Sequence, residues 1–164
     1  MSKKKYNLNT IYISERLQEN LKPISQSAFT AVTAPMGYGK TTAISWYLDK
    51  QSKNGNSCVI RISIYSDNLS VFWQSVQKAF AFAGLDFLDN YSCPSDAASA
   101  GMLADELCYS LSGQISYYIF IDDFHLLGEP HVADFFCMLA NRLPENIHPV
   151  SYTHLRAHET ELHL

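Results

Sequence analysis

No stretch of this chain stays apolar for the roughly 20 residues that a bilayer crossing requires. The basic start Lys3-Lys4-Lys5 leads into Asn and Thr, not into the apolar core of a secretory signal. Together these absences predict no membrane association and a cytoplasmic protein. Cysteine is sparse: the four residues Cys58, Cys93, Cys108 and Cys137 form no C-x-x-C pair. That scatter, without a signal, predicts reduced, buried thiols and neither a disulfide frame nor a zinc knuckle. His125, His131 and His148 lack metal-ligand spacing and read as ordinary polar residues. Basic charge is also short, with 12 Lys and Arg against 16 Asp and Glu for a net charge of −4. This argues against a nucleic-acid-binding surface on these residues, and Lys3 to Lys5 read as a solvated tail. Internal repeats and low-complexity linkers are missing as well. What is present is apolar material: 47% of the 164 residues are hydrophobic and 13% aromatic, enough for one domain with a substantial core.

The most telling segment is Ala34-Pro35-Met36-Gly37-Tyr38-Gly39-Lys40-Thr41-Thr42. It follows the apolar run Ala28 to Ala34 and opens an amphipathic helix, where a phosphate-binding P-loop belongs. Glycines let backbone amides turn inward around a polyphosphate, and the new helix points its positive N-terminal end at it. The cofactor-binding set is therefore Met36, Gly37, Tyr38, Gly39, Lys40, Thr41 and Thr42. Lys40 would reach the β- and γ-phosphates of ATP, and the Thr41 hydroxyl would ligate Mg²⁺. The general G-x-x-x-x-G-K-[ST] pattern asks for Gly at position 34, where this chain has Ala. A second signal is needed.

It comes at Tyr117-Tyr118-Ile119-Phe120-Ile121-Asp122-Asp123, a short run of β-branched and aromatic residues ending in two carboxylates. A buried strand carrying acids at its C-terminal end suits a Walker B site. Asp122 would hold Mg²⁺, and Asp123 would orient or deprotonate the attacking water. An Asp-Asp turn that merely closes a strand is the competing reading, and it loses weight when a P-loop precedes it.

Periodicity organises the rest. Ser14 to Leu21 reads as a short helix with Ser14 as N-cap, Ala28 to Ala34 as the first strand, and Lys40 to Lys53 as a helix turning Ile44, Tyr47 and Leu48 to a sheet. Cys58 to Ile64 alternates strand formers, with Arg61 marking a wet side. Asn68 to Ala83 is helical, with Phe72, Val76, Ala79 and Phe80 on one face. Pro94-Ser95-Asp96 opens a helix running to about Leu111, and Tyr117 to Ile121 is the next strand. Pro130 precedes a helix carrying Val132, Phe135, Phe136, Leu139 and Leu143. Pro144-Glu145-Asn146 then turns into a further strand at Ile147. This alternation predicts an α/β, three-layer fold: a parallel sheet with helices on both faces.

With those residues in place, the chain resembles the N-terminal ATPase domain of the large ATP-binding LuxR-type transcriptional regulators, members of the STAND class of P-loop NTPases. Ala34 to Thr42 is close to that family's A-P-x-G-Y-G-K-T-T loop, which already carries Ala in the first position. Phe120-Ile121-Asp122-Asp123-Phe124-His125 resembles its I-D-D-[YF]-H segment. Ser63-Ile64 with Asp67-Asn68 resembles its S-L…D-N stretch, and Arg142-Leu143-Pro144-Glu145-Asn146 falls at its P-x-N turn. The resemblance covers about Ile11 to Val150. It implies an ATP- and Mg²⁺-dependent switch, bound to ATP or ADP, that self-associates in the full-length protein. It also implies a strand from Ile147 lying between the P-loop strand and the Asp122 strand. That strand would end in a sensing Ser-Arg pair, and DNA would be met only through a separate C-terminal domain.

Residues Ser151 to Thr160 are similar instead to a translated transposase adapter of short-read sequencing libraries. Residues 1–150 are thus expected to be the P-loop NTPase domain, incomplete at its C-terminus, and 151–164 a non-native tail. On that reading His154, His158 and His163 have no metal or catalytic role. Val150 to Leu155 would be drafted into the central slot, since Tyr152 and Thr153 are good strand formers. Three other readings stay open: a non-hydrolysing nucleotide-binding module, a STAND or AAA ATPase with a non-DNA output, and a P-loop kinase. The kinase would need an acceptor site, and Asp122-Asp123 suits water activation better. Arg61 and Arg142 are candidate arginine fingers, with surface solvation as the competing reading for both.

Overall fold

The computed structural model describes residues 13–34, 39–122, 139 and 141–154; at Ala34, Lys40, Thr153 and His154 it describes the backbone alone. Outside the described residues fall Met36, Gly37, Tyr38 and Asp123 of the expected site, together with Cys137, His125 and His131. The start of the Pro130 helix and the tail from Leu155 onward fall there too.

The sheet is organised around β3 (Ser116–Asp122), buried from Tyr117 to Ile121 on both faces. That is why its sequence is a continuous apolar run and not an alternating one. Tyr117, Ile119 and Ile121 belong to one core cluster, and Tyr118 and Phe120 to the other. Strand β2 (Ser57–Ser63) pairs parallel to β3 on one side, and β4 (Ile147–His154) on the other. Strand β1 (Thr30–Ala34) pairs parallel to β4, so the order is β1-β4-β3-β2.

Helices cover both faces, as the alternation predicts. On one side lie α1 (Glu15–Leu21), a 3-10 turn (Lys22–Ser25) and α2 (Lys40–Lys53). They bury Leu21, Ile24, Ile44, Tyr47 and Leu48 against Val32, Tyr118, Phe120 and Val150. The other side holds α3 (Leu69–Phe82), a 3-10 turn (Asp86–Asn90) and α4 (Ala97–Ser110). Phe72, Val76, Phe80, Leu103 and Leu107 pack there on Ile60, Ile62, Ile119 and Ile121. The two 3-10 turns have no counterpart in the sequence reading. Leu139 is helical and buried, whereas Leu143 lies in a bend past the helix and still packs on the core.

Strand β4 occupies the slot that the family resemblance implies. Its outer half pairs residue for residue with the P-loop strand, Ser151 opposite Ala31 and His154 opposite Ala34, and Tyr152 is 2% exposed. Pro149 in this central strand is tolerated for a geometric reason. The Tyr117 N–H donates to the Asn146 carbonyl, so alternation aims residues 146, 148 and 150 at β3 and Pro149 at β1. Strand β1 begins only at Thr30, opposite Val150, so the missing N–H falls where no pairing is asked of it. The same proline accounts for β1 starting at Thr30 and not at Ala28.

Cys58, Cys93 and Cys108 are free thiols but half-buried, not buried as expected. Partial burial pushes all three thiols up from their ordinary value. Among the described residues no cluster of His, Cys, Asp and Glu could hold a metal, and no helix is long and apolar enough to cross a membrane.

Candidate functional site

Parallel pairing brings the C-terminal ends of all four described strands to one edge, where open α/β sheets receive their ligands. β1 leads to that edge at Ala34, and five residues later Gly39 begins α2. β3 reaches the same edge at Asp122, which is half-buried and whose carbonyl accepts the Ile64 N–H at 3.3 Å. β4 lies between β1 and β3, so their axes stand about 10 Å apart at ordinary strand spacing. In register, Ile121 is level with Ser151 and through it with Ala31.

The start of α2 differs from the other helix starts. Ser14 caps α1 by accepting the Leu17 N–H, and Asn68 caps α3 by accepting from Ser70 and Val71. Asp96 and Ser99 close a reciprocal capping box on α4, and those bonds hold the Asp96 carboxyl below its ordinary range. The α2 N-cap is Gly39, with no side-chain cap and no acid in the first turn. Its backbone is left-handed, φ 68° and ψ 21°, a region glycine enters without penalty. A Cβ added there would meet nothing within 4 Å, so the requirement is conformational and not steric. The first intrahelical bond runs from the Ala43 N–H to the Gly39 carbonyl at 3.0 Å. The amides of Lys40, Thr41 and Thr42 therefore precede any intrahelical acceptor, and the Thr41 and Thr42 side chains are exposed. First-turn amides without a side-chain cap, two exposed threonines and a half-buried acid two strands away form a set that fits a polyphosphate with its cation.

The middle of α2 is tied to neighbouring elements. The Tyr47 hydroxyl shares a 2.5 Å bond with Ser25 Oγ, which also bonds Tyr118 Oη at 2.9 Å. Burial pushes the Tyr118 phenol up, against the opposing effect of the Ser25 bond. His148 stacks on Tyr118 with ring centroids 4.9 Å apart, and its burial pushes the imidazole below its ordinary value. Asn146 donates both carboxamide hydrogens, to the Leu111 and Ile115 carbonyls, each at 2.9 Å. Neither arrangement was foreseen from the sequence; the P-x-N turn at Asn146 was the one available signal.

The two arginines are occupied elsewhere. Arg61 donates to Asp49 at 2.8 Å and to Ser45 at 3.2 Å, both on α2, and Arg142 lies 3.9 Å from Asp105. Both are about half exposed.

No family model matches the sequence, and no curated protein is similar to it. Solved structures do match. The chain overlays on PCH-2 of C. elegans with a TM-score of 0.52 at 15% identity, covering 93% of this chain and 41% of that one. It overlays on the Drosophila ORC structure, solved with AT-rich DNA and Cdc6, with a TM-score of 0.52 at 13% identity, covering 85% and 44%. Both neighbours have the AAA+ type of sheet. The fold is that of a P-loop NTPase. The chain spans less than half the length of either neighbour.

Proposed function

We propose that this chain is the ATP-binding switch module of a LuxR-type transcriptional regulator of the STAND class. The observation that carries the reading is the glycine-led start of α2, without a side-chain cap and two strands away from the acid-bearing end of β3. Lys40 and the amides from Met36 to Thr42 hold the phosphates. Thr41 and Asp122 hold Mg²⁺, which when bound neutralises charge on the β- and γ-phosphate oxygens. Asp123 positions water. Hydrolysis by the chain alone is slow, since Arg61 and Arg142 have surface partners and an arginine finger supplies a factor of ~10³–10⁵.

ATP and ADP favour different states of the longer protein in proportion to their differential affinity for each. That protein acts in the cytoplasm, self-associates, meets DNA through a separate domain and does not engage membrane. Residues 1–150 carry the module and 151–164 are a non-native tail, of which residues 151–154 contribute strand backbone.

Titration with a fluorescent ATP analogue tests the binding. Saturable, Mg²⁺-strengthened binding lost in Lys40→Ala supports the reading, and equal binding by that variant overturns it. Phosphate release then separates a hydrolase from a static binder. Asp123→Asn abolishes turnover in the former and leaves the latter unchanged.

A further inference from the structure

Strand β2 is an edge of the described sheet. The Ser116 N–H donates to the Asn56 carbonyl, and the Ile64 N–H to the Asp122 carbonyl, so the even-numbered residues of this segment face β3. Alternation turns the N–H and C=O groups of Val59, Arg61 and Ser63 outward. Among the described residues none of those groups has a backbone partner.

A groove of about 570 Å³ runs along this open edge, lined by those three residues, by Tyr65, and by Lys78 and Phe82 of α3. Phe82 is 96% exposed and Tyr65 80%. Isolated exposed apolar residues are ordinary, but two aromatics flanking a row of unpaired backbone groups are an open strand-addition site. Charge narrows the occupant. The ionisable groups lining the groove, apart from thiol and phenol, are the bases Arg61 and Lys78, in a chain whose net charge is −4. Asp49 neutralises Arg61 from α2, and Lys78 forms no ion pair among the described residues.

We propose that the β2 edge is a docking site for an extended, acidic segment of a partner protein. Its backbone pairs with Val59, Arg61 and Ser63, its apolar side chains rest on Phe82 and Tyr65, and its carboxylates meet Lys78. The site lies on β2, at the opposite edge of the described sheet from β1, which precedes the Gly39 start of α2.

The probe is a fluorescein-labelled octapeptide of alternating aspartate and valine, titrated onto the whole chain by anisotropy, with a lysine-valine octapeptide as control. Saturable binding of the acidic peptide is expected, weakened by salt as rim charges require. Lys78→Glu weakens it about tenfold while improving the lysine-valine peptide, and Phe82→Ser weakens it about as much. Both residues are exposed, so circular dichroism melts stay unchanged. Val59→Pro removes one outward N–H from an edge that tolerates proline and abolishes binding if its melt remains cooperative. Equal affinity for both peptides, no saturation, or indifference to Lys78→Glu overturns the proposal. Self-association of the chain that is lost in Phe82→Ser, with no peptide binding, would assign the edge to a second copy and overturn it as well.

Discussion

At the amino end of the sheet, side chains close on one another: Ser25 joins Tyr47 to Tyr118, His148 stacks on Tyr118, and Asn146 ties α4 and its exit loop to the start of β4. At the carboxyl end the pattern reverses. Gly39 gives α2 no cap, Thr41 and Thr42 face outward, and Asp122 stops β3 with a half-buried carboxyl. Side chains bond to one another across elements at one end, whereas at the other α2 begins without a side-chain cap. A domain that grips its own elements at one end of its strands keeps the other end available for the ligand proposed above.

The largest effect that breaks the contrast is Lys40→Ala. Loss of a phosphate-contacting cation should weaken ATP-analogue binding by about 100-fold or more, with the thermal midpoint of the free protein unchanged. Asn146→Ala should do the opposite. Removing two hydrogen bonds, to the part-buried Leu111 carbonyl and the exposed Ile115 carbonyl, lowers stability by about 1–3 kcal/mol in urea titrations, while the affinity of the folded protein for nucleotide holds.

Gly39→Ala should touch both properties, because a Cβ at φ 68° costs roughly 1–2 kcal/mol and shifts the first-turn amides. A smaller melt shift than for Asn146→Ala, accompanied by weakened binding, is the expected pair of readouts.

The smallest effect is acidification. The folded His148 imidazole sits below its ordinary value of 6.5, so the unfolded chain binds the proton more readily. Its contribution is therefore complete above about pH 6.5 and is lost as pH falls from there toward the folded value. Urea midpoints measured across that window should fall with pH in the native chain and flatten in His148→Phe, whose ring preserves the stack.

Much of the architecture was legible because it rests on local signals. Tyr117 to Asp122 could be read as a buried strand ending in acid, since a strand covered on both faces must be apolar throughout. Ser14 could be read as a cap because its bond reaches only three residues along the chain. The start of α2 was legible because Gly39 stands directly ahead of the helical run Lys40 to Lys53. The remainder depends on distant partners. Ser25 and Tyr118 meet across 93 positions, and Arg61 finds Asp49 on another element. Neither pairing has a sequence signature. The turn at Asp86–Asn90 was equally hidden, being fixed from α3, where Trp73 and Gln77 donate to the Tyr91 carbonyl. Pro149 shifted the start of β1 through a neighbouring strand, an effect that periodicity within β1 cannot carry.

The position of β4 also imposes an order of events. Strands β2 and β3 pair directly, so that half of the sheet can assemble once β3 has been synthesised. β1, which precedes the Gly39 start of α2, is made first yet has β4 as its partner in the described sheet. That strand must therefore wait, unpaired, while more than half of the chain is produced. A ribosome stalled before residue 147 would hold a half-built sheet whose first strand has nowhere to dock. Closure would then be the slow, long-range step of folding, and nucleotide affinity should emerge only after it.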